Sequence, residues 1–224
     1  HRRAADERPA QRLIIDTVRA HPGEVTLLAV GPLTNLALAL AEDPEIVRLA
    51  ARVVVMGGVF GIAGQAGNVT PVAEANMLSD PHAADVVFAA PWPVTIVGLD
   101  VTHRVLMDPA FFGRLRAEGG EAGAFLWDIS RHYVGFYGRH VGVDGCYVHD
   151  SSAVACALAP ELFGTRPGPV RVVEQGIAMG QTIQRPPGRR YPQAPAWDRL
   201  PDQQVCVSVQ ADAVLELYLQ TLTR

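Results

Sequence analysis

The 224-residue chain contains no lysine; all 19 of its basic residues are arginine, against 23 acidic residues, for a formal charge of -4 and a pI near 6.0. Such a balance leaves no basic footprint and argues against a nucleic-acid partner. The one arginine pair that stands out, Arg189-Arg190, lies in a proline-rich stretch. Arginine in place of lysine, beside abundant Ala, Val, Gly and Pro, reflects base composition of the coding DNA rather than function. Cysteine is scarce: Cys146, Cys156 and Cys206 are odd in number, widely spaced and form neither C-x-x-C nor zinc-like spacing, so reduced thiols in a cytoplasmic protein are expected. No apolar run approaches the roughly 20 residues that span a bilayer, so no membrane partner is expected. There is no G-x-S-x-G elbow, and Ser151-Ser152 fall at a helix start, which speaks against a serine hydrolase. Gly57-Gly58-Val59-Phe60-Gly61-Ile62-Ala63-Gly64 comes after a strand, but it matches neither G-x-G-x-x-G nor a P-loop.

What is present is an alternation of helix and strand signals. Apolar residues make up 49% of the chain and charged residues 19%, enough for one α/β domain over residues 1–224. An amphipathic pattern from about Asp6 to His21 ends at Pro22-Gly23. Residues 25–30 (VTLLAV), 53–56 (VVVM) and 94–99 (VTIVGL) read as strands buried on both faces of a mostly parallel sheet flanked by helices. Helices are expected over LTNLALALAED, after the starts Ser79-Asp80-Pro81 and Asp108-Pro109, over 121–140, after an Asp150 cap, and over 211–222. Strands are also expected at 170–173 and 205–209. In such sheets ligands bind beyond the carboxyl ends of the strands, where GPLTN, the Gly/Asn/Glu segment and Asp100 fall.

Two segments carry chemistry. In Gly67-Asn68-Val69-Thr70-Pro71-Val72-Ala73-Glu74-Ala75-Asn76, two amides and a carboxylate occur within nine residues. Such side chains complement the vicinal hydroxyls of a sugar, and Glu74 and Asn76 would face one way on an extended backbone. On spacing alone a turn asparagine and solvated loop residues are the commoner case. In Tyr147-Val148-His149-Asp150, an imidazole that can carry a proton near neutrality adjoins a hard oxygen ligand for a cation. The alternative is that Asp150 only caps the following helix and His149 is a satisfied structural residue. His1, His21, His82, His132 and His140 show no ligand spacing and read as structural or solvated; His103, just after a strand end, is kept in reserve.

Five stretches in order, AVGPLTNLALAL (29–40), VVVMGGVFG (53–61), GNVTPVAEANMLSDPHAADVVF (67–88), VTIVGLDVT (94–102) and HDSSAVACAL (149–158), resemble the inosine–uridine-preferring nucleoside hydrolase family. The GNVTP-x-AE-x-N-x-x-x-DP stretch is long and specific, and the resemblance runs over nearly the whole chain. It implies hydrolysis of the N-glycosidic bond of ribonucleosides, assisted by Ca2+, in a cytoplasmic homo-oligomer, dimer or tetramer. By matching position it implies that Asn68, Glu74 and Asn76 hold ribose hydroxyls and that Asp150 ligates calcium and faces the substrate. It further implies a calcium bond from the Met56 backbone carbonyl, protonation of the leaving base by His149, Tyr133 or Tyr137 near that base, and a supporting role for Asp100. The family's acidic motif, D-x-D-x-x-x-D-D, has no counterpart here, since Asp6, Asp16, Asp43 and Asp80 lack its spacing. The chain therefore reads as beginning inside the family's length, after its first strands. Asp150 and one carbonyl do not complete a six- to eight-oxygen calcium shell, so weak calcium binding, little turnover and an uncovered sheet edge are expected of these residues alone. The alternative is a nucleoside- or ribose-binding protein without catalysis, or an inactive fragment lacking the general base.

Overall fold

The computed structural model describes residues 5–223; His1, expected to be structural or solvated, lies outside them. Its centre is a five-stranded sheet in the order β1 (Thr26–Ala29), β2 (Arg52–Met56), β3 (Val94–Val97), β9 (Gln203–Val209), β6 (Phe163–Gly168). The first four strands run parallel and β6 is antiparallel to β9, so the sheet is mixed and mostly parallel, as expected. Alternation along the strands divides the core in two. Val53, Val55, Val94, Ile96 and Val205 face one apolar cluster, which α1 (Ala10–Ala20), α2 (Thr34–Glu42), α3 (Ile46–Leu49) and α5 (Pro81–Ala89) cover. Val54, Met56, Val97 and Cys206 face the other, built with α7 (Pro109–Glu118), α8 (Gly120–His140), α9 (Asp150–Leu158) and α10 (Ala211–Leu222). All three cysteines are buried and unpaired.

Two helix starts form as their sequences direct. Asp80 and Asp108 accept from Ala83 N and Phe111 N at 3.0 and 2.8 Å, each followed by proline in the first turn. Four local expectations are corrected. VTLLAV is not buried on both faces: β1 pairs only with β2, and Leu28 is 39% exposed while Leu27 and Ala29 pack against the first cluster. The run 94–99 stops at Val97, because the backbone turns at Gly98 into α6 (Leu99–Thr102), which places Asp100 in a helical first turn. Glu74 and Asn76 do not share an extended segment, since Glu74 caps α4 (Ala75–Ser79) and Asn76 lies within its first turn. Asp150 is not a cap: it is the first residue of α9, and its carboxylate makes no capping bond.

Four strands, β4 (Leu106–Met107), β5 (Cys146–Tyr147), β6 and β8 (Thr182–Gln184), escaped the sequence reading. β6 pairs with β9, β8 pairs with β7 (Val170–Val172), and the short β4 pairs with β5. An isolated bridge from Gln181 to Ala73 ties the β7–β8 hairpin to the sugar-like loop, so a distant part of the chain supports that loop.

Candidate active site

The parallel strands direct the ends of β1, β2 and β3 to one edge of the sheet. There the long connection from β2 to α4 is folded by a buried carboxylate. Glu74, 2% exposed, accepts from Gly58 N at 3.0 Å, Asn76 N at 2.9 Å and Met77 N at 3.2 Å. Burial raises its pKa against the pull of these three donors, and the charge of Asp150 adds to the rise. Gly58 has to be glycine: its φ is +80°, and a Cβ there would lie 2.9 Å from the Thr182 methyl. Thr182 in turn accepts from Val59 N at 2.9 Å and donates to Val59 O at 2.6 Å, so β8 buttresses the loop from behind.

Within this frame Asn76 turns its side-chain amide onto the Met56 carbonyl at the end of β2, 3.1 Å away. Asn68 is exposed, and its Oδ1 accepts from Ala75 N at 3.1 Å. Both amides therefore keep one end for the protein and one for a ligand. Asp100 is buried and spoken for by the protein: it accepts from Phe60 N at 2.8 Å and Ile62 N at 2.7 Å, and burial raises its pKa.

His149 stands at the start of α9 with both ring nitrogens engaged. Nδ1 is 2.8 Å from Thr102 Oγ1, and Nε2 is 2.9 Å from the Tyr137 hydroxyl. Tyr137 continues to the Tyr133 hydroxyl at 3.3 Å. Tyr133, Tyr147, His149 and Asp150 line one open cavity of about 290 Å³. His103, the reserve candidate, belongs here too. Its ring stacks on Tyr147 at 4.4 Å, lies 5.4 Å from that of His149, and its Nδ1 meets Gln65 Nε2 at 2.9 Å. Sequence reasoning missed Thr102, Gln65 and Thr182. The first lies inside a quoted stretch, but nothing local shows that it reaches across 47 residues to His149.

Burial, with His103 nearby, pushes His149 down to about 4 from an ordinary 6.5. A lowered folded-state value means that the unfolded chain binds the proton more tightly. Stability from the neutral ring is therefore complete above pH 6.5 and is lost as pH falls toward 4. The expected contribution is roughly 3 kcal/mol at most. Urea titrations of the chain and of His149→Asn, with chelator present, should show a difference that shrinks across that window. A constant difference would remove His149 as its source. The raised carboxyls of Glu74, Asp100 and Asp150 act in the opposite sense and cancel between the two proteins.

The resemblance implied ribose contacts from Asn68, Glu74 and Asn76; in the structure Glu74 is committed to three backbone donors, and only the two amides keep an end free. The match to known proteins is extensive: residues 1–216 fit the family described as "Inosine-uridine preferring nucleoside hydrolase". The chain belongs to that family. It is 35% identical over 216 residues to a probable uridine nucleosidase 2 of Arabidopsis thaliana, covering 96% of this chain and 66% of that one. With the inosine–uridine preferring nucleoside hydrolase of Leishmania major it shares 40% identity over 180 residues, 80% of this chain and 56% of the relative. The structure of a purine-preferring ribonucleoside hydrolase from Gardnerella vaginalis superposes with a TM-score of 0.87 at 33% identity, over 99% of this chain and 67% of that chain. A plant nucleoside hydrolase superposes with a TM-score of 0.94 at 31% identity, over all of this chain and 69% of the other. This nucleoside hydrolase family member thus spans between about half and three quarters of the length of the curated relatives it matches.

The family is generally metal-dependent, and the donor set can be tested against a metal. Asp150 is exposed and its carboxylate accepts no hydrogen bond among the described residues, while the Met56 carbonyl has one lone pair left beside the Asn76 amide. Glu74 and Asp100 are committed to backbone donors. No group of three or more His, Cys, Asp or Glu among the described residues is placed to hold a metal. The oxygens of these two groups do not amount to a calcium shell of six to eight.

Proposed function

We propose that the protein hydrolyses the N-glycosidic bond of ribonucleosides, releasing ribose and a free nucleobase. The observation that carries this is the Glu74-folded loop, near enough to Asp150 for the two carboxylates to interact, beside the Tyr133–Tyr137–His149 chain, whose Tyr133 and His149 line a cavity with Asp150. Asn68, Asn76 and Asp150 hold the sugar hydroxyls, and Glu74 sets the loop that positions them. In the reaction the C1′–N bond breaks, water supplies hydroxide to C1′, and the departing base takes a proton. Positive charge develops at C1′ as it does in other glycoside hydrolyses, and bonds to the hydroxyls align the sugar for attack. On the base side both nitrogens of His149 are occupied, so it acts through the tyrosine hydroxyls. General-acid help of this kind contributes typically ~10²–10⁴-fold.

Calcium is the cofactor we assign, with the Asp150 carboxylate and the Met56 carbonyl as the two groups this chain offers; the described residues do not complete its shell. The proposed setting is the cytoplasm, in keeping with three buried, unpaired cysteines. The proposed assembly is a homo-oligomer, by family. No described helix is long and apolar enough to cross a membrane. A second reading, nucleoside binding without turnover, is favoured for these 224 residues by one observation: Asp150 is the one site carboxylate not committed to backbone donors.

The test is binding of inosine and uridine to the purified chain by calorimetry, with ribose release followed in parallel. Binding with little turnover is expected of these 224 residues alone, because their oxygens do not complete a calcium shell. Asn76→Ala should weaken binding at least tenfold, about 1.4 kcal/mol, without altering the fold. Unchanged affinity in that variant would show that the loop holds no sugar.

A further inference from the structure

α6 sends each of its polar side chains, and that of the residue after it, to a different part of the site. Asp100 holds the glycine-rich loop, His103 holds Gln65, and Thr102 reaches His149. The last contact decides where a proton sits. Thr102 is fully buried at 0% exposure, so no water reaches its hydroxyl. Its backbone N–H donates to Gly98 O, as the helix requires. Among the described residues its hydroxyl has one hydrogen-bond partner, Nδ1 of His149. A hydroxyl has one proton to donate, and a buried donor without an acceptor is costly. If Nδ1 carried the hydrogen, Thr102 would accept it, and its own proton would have no acceptor.

We infer that Thr102 is a positioning residue that locks neutral His149 into the tautomer with hydrogen on Nε2. The orientation then propagates. Thr102 donates to Nδ1, Nε2–H donates to the oxygen of Tyr137, and the proton of Tyr137 must point on toward Tyr133, which is 44% exposed and lines the cavity beside Asp150. Without the lock the ring is free to take the opposite tautomer. Nε2 would then accept from Tyr137 and turn the tyrosine's only proton inward, away from any ligand. His149 is thus a hydrogen-bond donor behind a tyrosine, and the outward donor is a hydroxyl. The functional meaning of this lock rests on the proposed hydrolase reading, whose base side gains a second, buried residue.

The tautomer is directly measurable without substrate. The chain would be labelled with 15N-histidine, and the two ring nitrogens of His149 read through their long-range couplings to the ring carbon-bound hydrogens. His149→Asn would identify its signals. Expected in the unsubstituted chain at neutral pH is a lone-pair shift at Nδ1 and a protonated shift at Nε2. Thr102→Val, nearly isosteric and lacking the hydroxyl, should move both shifts toward the mixture typical of free imidazole, and Thr102→Ser should restore them. Hydrogen on Nδ1 in the unsubstituted chain overturns the inference, with no variant needed. A Thr102→Val protein that folds and keeps the pure Nε2–H pattern overturns it as well. Failure of nucleoside binding would strike the hydrolase reading and leave this spectrum unchanged, so the two outcomes are separable.

Discussion

Replacing Glu74 by glutamine should destabilise the chain by about 2–4 kcal/mol, although the side chains have the same shape. Glu74 offers Oε1 to Asn76 N and Oε2 to both Gly58 N and Met77 N. Glutamine has one acceptor oxygen, so its amide must point donors at a backbone N–H in a place from which water is excluded. One buried donor left unsatisfied costs about 1–3 kcal/mol, and the lost charge-assisted bonds add to it. Against a total stability of about 5–15 kcal/mol for a typical domain, urea denaturation will resolve the change. The functional loss should exceed what unfolding explains, because the same three bonds hold the Asn76 amide against Met56. A glutamine variant of unchanged stability would mean that the loop is held by the Thr182 contacts alone.

A second large effect is expected far from the cleft. Asp85, on α5, binds Arg171 of β7 through both oxygens, with Nε and Nη2 each at 2.7 Å, and also accepts from Val172 N at 2.8 Å. Asp85 is buried, and Arg171 is about one third exposed. Asp85→Ala would leave a half-buried guanidinium and a buried N–H without their acceptor, at a cost of about 3 kcal/mol; this is the lower end for breaking a buried pair, because water can reach Arg171. The pair seats the hairpin whose other strand carries Thr182, so the damage should travel to Val59 and Gly58. Hydrogen exchange at the Val59 amide should accelerate in Asp85→Ala by more than the global loss of stability accounts for. Exchange that rises only with global unfolding would show that the loop does not depend on the hairpin's seat.

Much of this was legible from the residues. Long apolar runs bounded by Gly and Pro named β2 and β3, because a strand covered on both faces needs little besides apolar side chains. The Asp-Pro pairs at 80–81 and 108–109 named two helix starts, because a cap and a proline act on backbone atoms only a few positions away. The segment 67–76 stood out by its two amides and carboxylate, but spacing alone favoured solvated loop residues, and only the likeness to a family supplied the roles expected of it. β6 and β8 were hidden because they pair with distant partners and lack a clean alternation; β6 carries Arg166-Pro167-Gly168, an arrangement tolerated at a sheet edge but rarely read as a strand.

Local sequence determined the strand runs and the helix starts, since each of those signals arises within a few residues; Asn68, Glu74, Asn76, His149 and Asp150 were singled out by the resemblance to a family. Tertiary structure alone decided that Glu74 would be an internal anchor, that the Asn76 amide would face Met56, that Asp150 would stay free of the helix it begins, and that Thr102 would meet His149. These outcomes depend on which groups are brought together after water has been removed. A carboxylate or hydroxyl then takes the nearest unsatisfied partner, however far away it lies in the chain.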